Sequence, residues 1–110
     1  MIVDLFEHTV IISQANDPLN QFLKEITNDF SKWKAYNVIL NLSSIHKLSA
    51  DQLLEFIPLA TEQLENRHSL VVVSDSISYE DAPEELVIVP TIQEAKDVIE
   101  MDMIERDLGL

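Results

Sequence analysis

The chain has 110 residues, no cysteine, and a formal net charge of −13 at pH 7 from twenty acidic and seven basic residues. This length predicts a single domain over residues 1–110, and the absence of thiols excludes disulfides, thiolate metal sites and thiol catalysis. A strongly acidic surface repels phosphate backbones and anionic lipids, so neither nucleic acid nor membrane is expected as a partner.

The N-terminal segment predicts a cytoplasmic protein. It has no Lys or Arg before Lys24, whereas a signal peptide begins with basic residues that precede an apolar stretch and a small-residue cleavage site. No apolar run approaches the ~18 residues of a membrane-spanning helix.

The first third of the chain predicts a β-hairpin followed by an amphipathic helix. Ile2–Phe6 and Thr9–Ser13 are apolar runs rich in β-branched residues, separated by two residues. Asp17 and Pro18 form a favourable helix start, because the carboxylate can cap free amides while proline takes the first helical position. The apolar residues that follow at helical spacing, and that are expected to face the core, are Leu19, Phe22, Leu23, Ile26, Phe30 and Trp33.

The middle of the chain predicts a buried strand and a capped helix. Residues 38–42 form a short apolar run typical of a strand covered on both faces. Ser49 and Gln52 have the spacing of a capping box, so a helix is expected to start at Ser49. Pro58 either kinks this helix, at a cost of ~3 kcal/mol, or lies in the first turn of a second helix. The predicted buried face comprises Leu53, Leu54, Ile57, Ala60 and Leu64.

The last third predicts two strands, a short helical turn and a final helix. Leu70–Val73 is a buried-strand pattern, residues 86–89 form a further strand, and Asp81 is expected to cap the turn between them. Thr91 and Glu94 form a second capping-box pattern. The helix that they begin has Ile92, Ala95, Val98 and Ile99 on its core side, Ile104 and Leu108 in continuation of this pattern, and Gly109, the only glycine, beyond its end.

The order of these elements predicts an α/β fold. Strands that alternate with helices form a largely parallel sheet, and a two-residue connection can join only antiparallel strands. We therefore expect a mixed, mostly parallel sheet of about five strands, with the N-terminal hairpin as its antiparallel edge and three to four helices.

Residues 37–56, NVILNLSSIHKLSADQLLEF, resemble the central motif of STAS domains, the family of anti-sigma factor antagonists. In that family a strand ending in Asp-Leu-Ser precedes a helix that opens with Asp-Ser-Ser-Gly, and a partner kinase phosphorylates the first of its two serines. Residues 41–43 match the strand end and residues 49–52 fall on the helix start, so Ala50 stands at the phosphorylated position. Residues 89–95, VPTIQEA, resemble the last strand-to-helix junction of the family. The resemblance implies a STAS-like fold.

The loop between that strand and that helix is the predicted binding surface. In the STAS family the kinase and the anti-sigma factor dock there, so the resemblance implies a protein partner such as a kinase or a sigma-pathway regulator. Ser49, one residue before the aligned phosphorylation position, is a candidate phosphorylation site, although helix capping explains its hydroxyl equally well. The candidate partner-binding residues are Ser43, Ser44, His46, Lys47, Ser49 and Asp51.

The residue types exclude several common catalytic sites. With one glycine the chain cannot form a GxGxxG loop, a P-loop or a GxSxG nucleophile elbow. Its three histidines, His8, His46 and His68, show no HExxH or HxH pairing, so no metal or cofactor is expected. The chain also resembles short bacterial proteins labelled ribonuclease Z, yet it lacks the HxHxDH zinc motif of that enzyme. We therefore expect a protein that is not an enzyme.

Three functional hypotheses follow from these patterns. The first is a non-catalytic, STAS-like regulatory module that binds other proteins. The second is a small-molecule or lipid carrier, since the chain is rich in Leu, Ile and Val, although core packing also explains these residues. The third is a homo-oligomeric accessory subunit, such as a homodimer, that pairs through the first hairpin or the acidic C-terminal segment. The apolar residues of that segment are Met101, Met103, Ile104 and Leu108.

Overall fold

The fold is built on a five-stranded sheet whose strands lie side by side in chain order. The computed structural model describes residues 1–15, 18–45, 47–77 and 79–109. β1 is antiparallel to β2, and the other neighbouring strands are parallel, which confirms the predicted α/β class and the antiparallel N-terminal hairpin. The strands are β1 (Ile2–Phe6), β2 (Thr9–Ser13), β3 (Asn37–Asn41), β4 (Leu70–Val73) and β5 (Val87–Val89).

The helices cover the two faces of the sheet unequally. The helices of the described residues are α1 (Leu19–Asp29), α2 (Ala50–Leu54), α3 (Ile57–Glu65) and α4 (Ile92–Asp107), with 3₁₀ turns at Phe30–Trp33 and Tyr79–Asp81. Side chains from α1, α2 and α3 share one core with one face of the sheet, and side chains from α4 share a second core with the other face.

The two central strands are apolar at almost every position because both of their faces are covered. In β3, Val38 and Leu40 belong to the core of α1 to α3, whereas Ile39 belongs to the core of α4. In β4, Val72 and Val71 divide between the two cores in the same way. Successive side chains of a strand point to opposite faces, so a strand between two layers of helices has no polar face. This is the physical basis of the buried runs that the sequence shows.

The first helix begins one residue later than predicted. Pro18 has extended dihedral angles, φ −61° and ψ 150°, and lies at the N-cap position rather than at the first helical position. The predicted cap, Asp17, lies outside the described residues. The predicted apolar stripe packs on the core as expected, and its last turn is the 3₁₀ turn, where Phe30 and Trp33 meet edge to face at 6.5 Å between ring centroids.

The segment after the capping box forms two helices. α2 ends at Leu54, and Pro58 lies in the first turn of α3, where its missing N–H costs no helical hydrogen bond. The break changes which side chains face the sheet, so the predicted burial of Leu54 and Leu64 is wrong: they are 48% and 70% exposed. Phe56, Leu59 and Gln63 are buried in this segment.

The connection between β4 and β5 contains the predicted short helical turn in a different place. The 3₁₀ turn Tyr79–Asp81 ends at Asp81, so the prediction that this residue caps the start of a turn is wrong. Pro83 follows, and its carbonyl accepts a hydrogen bond from Leu86 N at 3.1 Å just before β5.

The final helix begins and ends where its signals predicted. Thr91 Oγ1 accepts a hydrogen bond from Glu94 N at 3.1 Å, and Gly109 has a positive φ of 74° just beyond the end. The prediction that the buried side of this helix continues to Ile104 and Leu108 is wrong, because these side chains are 48% and 68% exposed. Over the part of the chain that the structure describes, no helix combines the length and the apolar character needed to cross a bilayer.

Polar contacts attach the C-terminal half of α4 to the amino edge of the sheet. Ser69, which precedes β4, donates from its hydroxyl to Asp102 Oδ2 at 2.7 Å and accepts from Arg106 Nη2 at 2.9 Å. Its backbone N–H donates to Asn37 Oδ1 at 2.8 Å. Ser69 and Asn37 are both buried, so these bonds satisfy polar groups that water does not reach.

Candidate functional site

The 43–51 loop lies at the carboxyl edge of the parallel strands. It leaves β3 at Leu42, whose N–H donates to Val73 O of β4 at 2.9 Å, and it leads into α2. Segments that follow β2 and β4 reach the same edge, because parallel strands present the same end on the same side. This edge is where open parallel sheets commonly place binding loops.

The side chain of Asn41 fixes the start of the loop. Its Oδ1 accepts from Ser43 N at 3.1 Å and from Ser43 Oγ at 2.7 Å. Its Nδ2 donates to Ser13 Oγ, on the neighbouring strand β2, at 3.2 Å. A short amide side chain that bonds to the backbone two residues later stabilises a turn locally. Asn41 therefore joins the loop to both strands.

Gln14 holds the next part of the loop from the side of β2. Its backbone N–H donates to Asn41 O at 3.0 Å, and its carbonyl oxygen accepts from Ser44 Oγ at 3.2 Å. Ser44 Oγ also donates to Gln14 Oε1. The serine hydroxyl is thus engaged with the segment that follows β2, and the loop is tied to two neighbouring strand ends.

The end of the loop is fixed by the predicted capping box. Ser49 Oγ accepts from Gln52 N at 3.2 Å, and Gln52 Oε1 accepts from Ser49 N at 2.9 Å, so both halves of the box are present. Leu48, just before the cap, is buried, and its N–H donates to Ser76 Oγ at 3.4 Å. Leu48 therefore connects the loop to the segment after β4.

The predicted partner-binding residues that the structure describes have exposed side chains. Ser43, Ser44, Lys47, Ser49 and Asp51 are all exposed, and Asp51 lies in the first turn of α2. The sixth predicted residue, His46, lies outside the described residues. The surface is thus held by polar contacts from three strand ends while its side chains remain accessible.

The serine hydroxyls of this loop bond to amides and carbonyls. Ser43 bonds to the amide of Asn41, Ser44 to the carbonyl and amide of Gln14, and Ser49 to the side chain and backbone of Gln52. An activated serine requires a base such as histidine within hydrogen-bond reach. Among the described residues there is also no group of three His, Cys, Asp or Glu placed to hold a metal ion.

Sequence reasoning missed a groove beside the loop. It has a volume of about 1040 Å³ and lies between β5 and the segment that connects β4 to β5. Its lining includes apolar Ile77, Leu86 and Ile88 and the acidic residues Asp75 and Glu84. The one available signal was the mixture of acids with isolated apolar residues between two strands, which is also typical of a solvated loop.

Comparisons with known proteins identify the fold without naming a family. No family model matches the chain, and no curated protein matches it either. A search of solved structures finds, among its matches, the NMR structure of the protein TM1081, with a TM-score of 0.65 over 89% of this chain and 86% of that one. Because the two sequences are only 15% identical, the similarity shows a shared fold and no more.

Proposed function

We propose that the chain is a non-catalytic, STAS-like interaction module that binds another protein through the 43–51 loop. The observation that carries this proposal is the combination of exposed side chains with a backbone that is held on both sides of residue 46. Ser43, Lys47 and Asp51 are exposed, while contacts from β2, β3 and the β4–β5 connection hold residues 41–44 and Leu48. A loop that is ordered before binding loses little conformational entropy when it binds. Loops on a rigid scaffold commonly carry binding functions.

The resemblance of residues 41–43 and 49–52 to the STAS motif supports a kinase or a sigma-pathway regulator as the partner. Ser49 is the residue that we propose as the phosphorylated one, because Ala50 stands at the family position. A phosphate at an N-cap would lie next to the free amides of the first helical turn, which attract negative charge.

Site-specific crosslinking in the cells of origin tests the proposal. A photo-reactive amino acid replaces Lys47 in the loop or, as a matched control, Glu65, which is exposed at the end of α3. We expect one discrete adduct with a second protein from position 47 and no such adduct from position 65. The same set of adducts from both positions, or none from position 47, would contradict binding through the loop.

A homo-oligomeric role is the second candidate, and the exposure of β1 favours it. All five residues of this edge strand are exposed, among them Ile2, Val3, Leu5 and Phe6. An edge strand with exposed apolar side chains can pair with a second chain. Sedimentation at high concentration tests this role: a dimer that Leu5→Lys dissociates would support it, and a strict monomer would remove it.

A further inference from the structure

The outer edge of β5, which borders the groove, pairs with no other strand of the described residues. β5 is the last strand of the sheet, and Val89 O accepts a hydrogen bond from Ser74 N at 2.9 Å, so the backbone groups of Val89 face β4. Successive residues of a strand direct their N–H and C=O groups to alternate sides. Those of Ile88 therefore face the open edge. Pro90, which has no N–H to donate, ends this edge directly after the strand.

The lining of the groove combines an apolar surface with negative charge. Ile77 and Ile88 are half-buried and pack against the core of α1 to α3, so they present part of their surface to the groove. Asp75 and Glu84 are exposed, and Glu80 is a third carboxylate in the lining. No Lys, Arg or His is among the described residues that line it. The groove thus favours an occupant with apolar side chains and positive charge.

We propose that this groove binds an extended, basic segment of the partner protein, which adds a short strand to β5. The inference rests on the proposed function and specifies the partner: the segment alternates apolar residues, which contact Ile77 and Ile88, with Lys or Arg, which lie near Asp75 and Glu84. Strand addition of this kind uses main-chain hydrogen bonds for affinity and alternate side chains for specificity.

The groove and the 43–51 loop are linked through the segment that follows β4. Ser74 and Asp75 line the groove. The next residue, Ser76, accepts a hydrogen bond at its hydroxyl from the N–H of Leu48 in the loop. A partner docked on the loop therefore has the open edge of β5 beside it. A second copy of this chain is a poor occupant of the groove, because the acidic lining favours a basic segment and the chain has only seven basic residues.

A capped six-residue peptide of alternating lysine and valine is the probe, and amide chemical shifts of the full chain are the readout. We expect the peptide to shift the Ile88 and Val87 amides in a saturable manner. The double variant Asp75→Asn, Glu84→Gln should weaken binding about three- to tenfold, as expected for loss of two exposed ion pairs. The control Glu100→Gln, Glu105→Gln removes the same charge from exposed positions of α4 and should leave binding unchanged. Equal weakening by both double variants would overturn a groove-specific site.

Two methylated versions of the peptide test strand addition itself. One carries methyl groups on the valine backbone nitrogens and the other on the lysine nitrogens, so each blocks one edge of the extended peptide. One version should lose binding while the other keeps it. Equal binding by both would overturn strand addition. If crosslinking from position 47 persists in a chain that binds no peptide, the groove inference fails and the proposed function stands.

Discussion

Asn41 and Ser13 are joined across β2 and β3 by a hydrogen bond of 3.2 Å from Asn41 Nδ2 to Ser13 Oγ. The opposite end of the same amide accepts two hydrogen bonds from Ser43. A carboxylate accepts hydrogen bonds and donates none, whereas an amide does both. Asn41 can therefore fix the loop through its oxygen and the neighbouring strand through its nitrogen.

Replacing Asn41 by Ala should lower the free energy of unfolding by about 2 kcal/mol, because three hydrogen bonds are lost at about 0.5–1.5 kcal/mol each, in part at an exposed position. Asn41→Asp should cost less, since the Ser13 hydroxyl can turn and donate to the carboxylate. Urea denaturation of both variants measures the difference. Equal loss in the two variants would contradict this role of the Ser13 hydroxyl.

Replacing Ser49 by Ala should destabilise the chain by about 1 kcal/mol, because the N-cap acceptor of the Gln52 N–H is lost. Ser49→Asp keeps an acceptor at the cap and should retain most of the stability. Thermal unfolding of the two variants is the measurement. A loss of the same size in Ser49→Asp would show that the cap is not the cause.

Phosphorylation by a cognate kinase should add one phosphate, on Ser49. The chain is incubated with ATP in an extract of its own cells and analysed by intact mass and peptide mapping, with Ser49→Ala as the control. Ser43 and Ser44 are also exposed, so the mapping must separate the three positions. Absence of phosphate from all three would contradict the proposed phosphorylation and leave the fold and the binding proposal in place.

Replacing Arg67 by Gly should stabilise the chain by about 1 kcal/mol, because Arg67 has a positive φ of 62° at the end of α3. The Arg67 N–H donates to Leu64 O and the His68 N–H donates to Gln63 O, both at 2.9 Å. Helices that end with this pair of hydrogen bonds usually have glycine at the position of Arg67.

The control for this prediction is Glu65→Gly, at the last residue of the same helix, where φ is helical and glycine should destabilise by up to about 1 kcal/mol. The midpoints of urea unfolding should therefore shift upward for Arg67→Gly and downward for Glu65→Gly. Destabilisation by both variants would mean that the Arg67 side chain contributes more than its backbone conformation costs.

Replacing Gln63 by Met should lower the free energy of unfolding by about 1–2 kcal/mol. Gln63 is fully buried, and its Nε2 donates to the carbonyls of Trp33 and Tyr36. The Tyr36 carbonyl would lose this donor, whereas the Trp33 carbonyl keeps the Tyr36 N–H at 3.0 Å. The same exchange at exposed Gln93 is the control and should have little effect. A Gln63→Met chain as stable as the parent would indicate that Met packing compensates for the lost hydrogen bonds.

The sequence predicted those parts of the fold that depend on local chemistry. The structure confirms the capping residues Ser49 and Thr91, each of which bonds to a residue three positions later. It also confirms the buried run of β4. The exposure of Leu54 and Leu64 was not predictable from spacing, because the break between α2 and α3 resets the helical period between them.

The missed features of the site depend on contacts that are distant along the chain. The bond between Asn41 and Ser13 spans 28 residues, and the groove lies beside β5, the last strand of the sheet. Periodicity carries no information about strand order, so neither feature has a local sequence signal. The loop residues were singled out through resemblance to a family motif rather than through spacing, and their role in binding stays a prediction.

The unequal covering of the sheet has a consequence for motion. α4 is the one helix of the described residues whose side chains share a core with its face of the sheet, and it buries only Ala95 and Ile99 fully. Detachment of this single helix would therefore expose Ile39, Val71 and the rest of that face to solvent, while the core on the opposite face stays buried. Partial openings of this kind occur below the free energy of global unfolding. Amide hydrogens of α4 should accordingly exchange with solvent sooner than those of β3, and the molecule has one face that can open while the other keeps its shape.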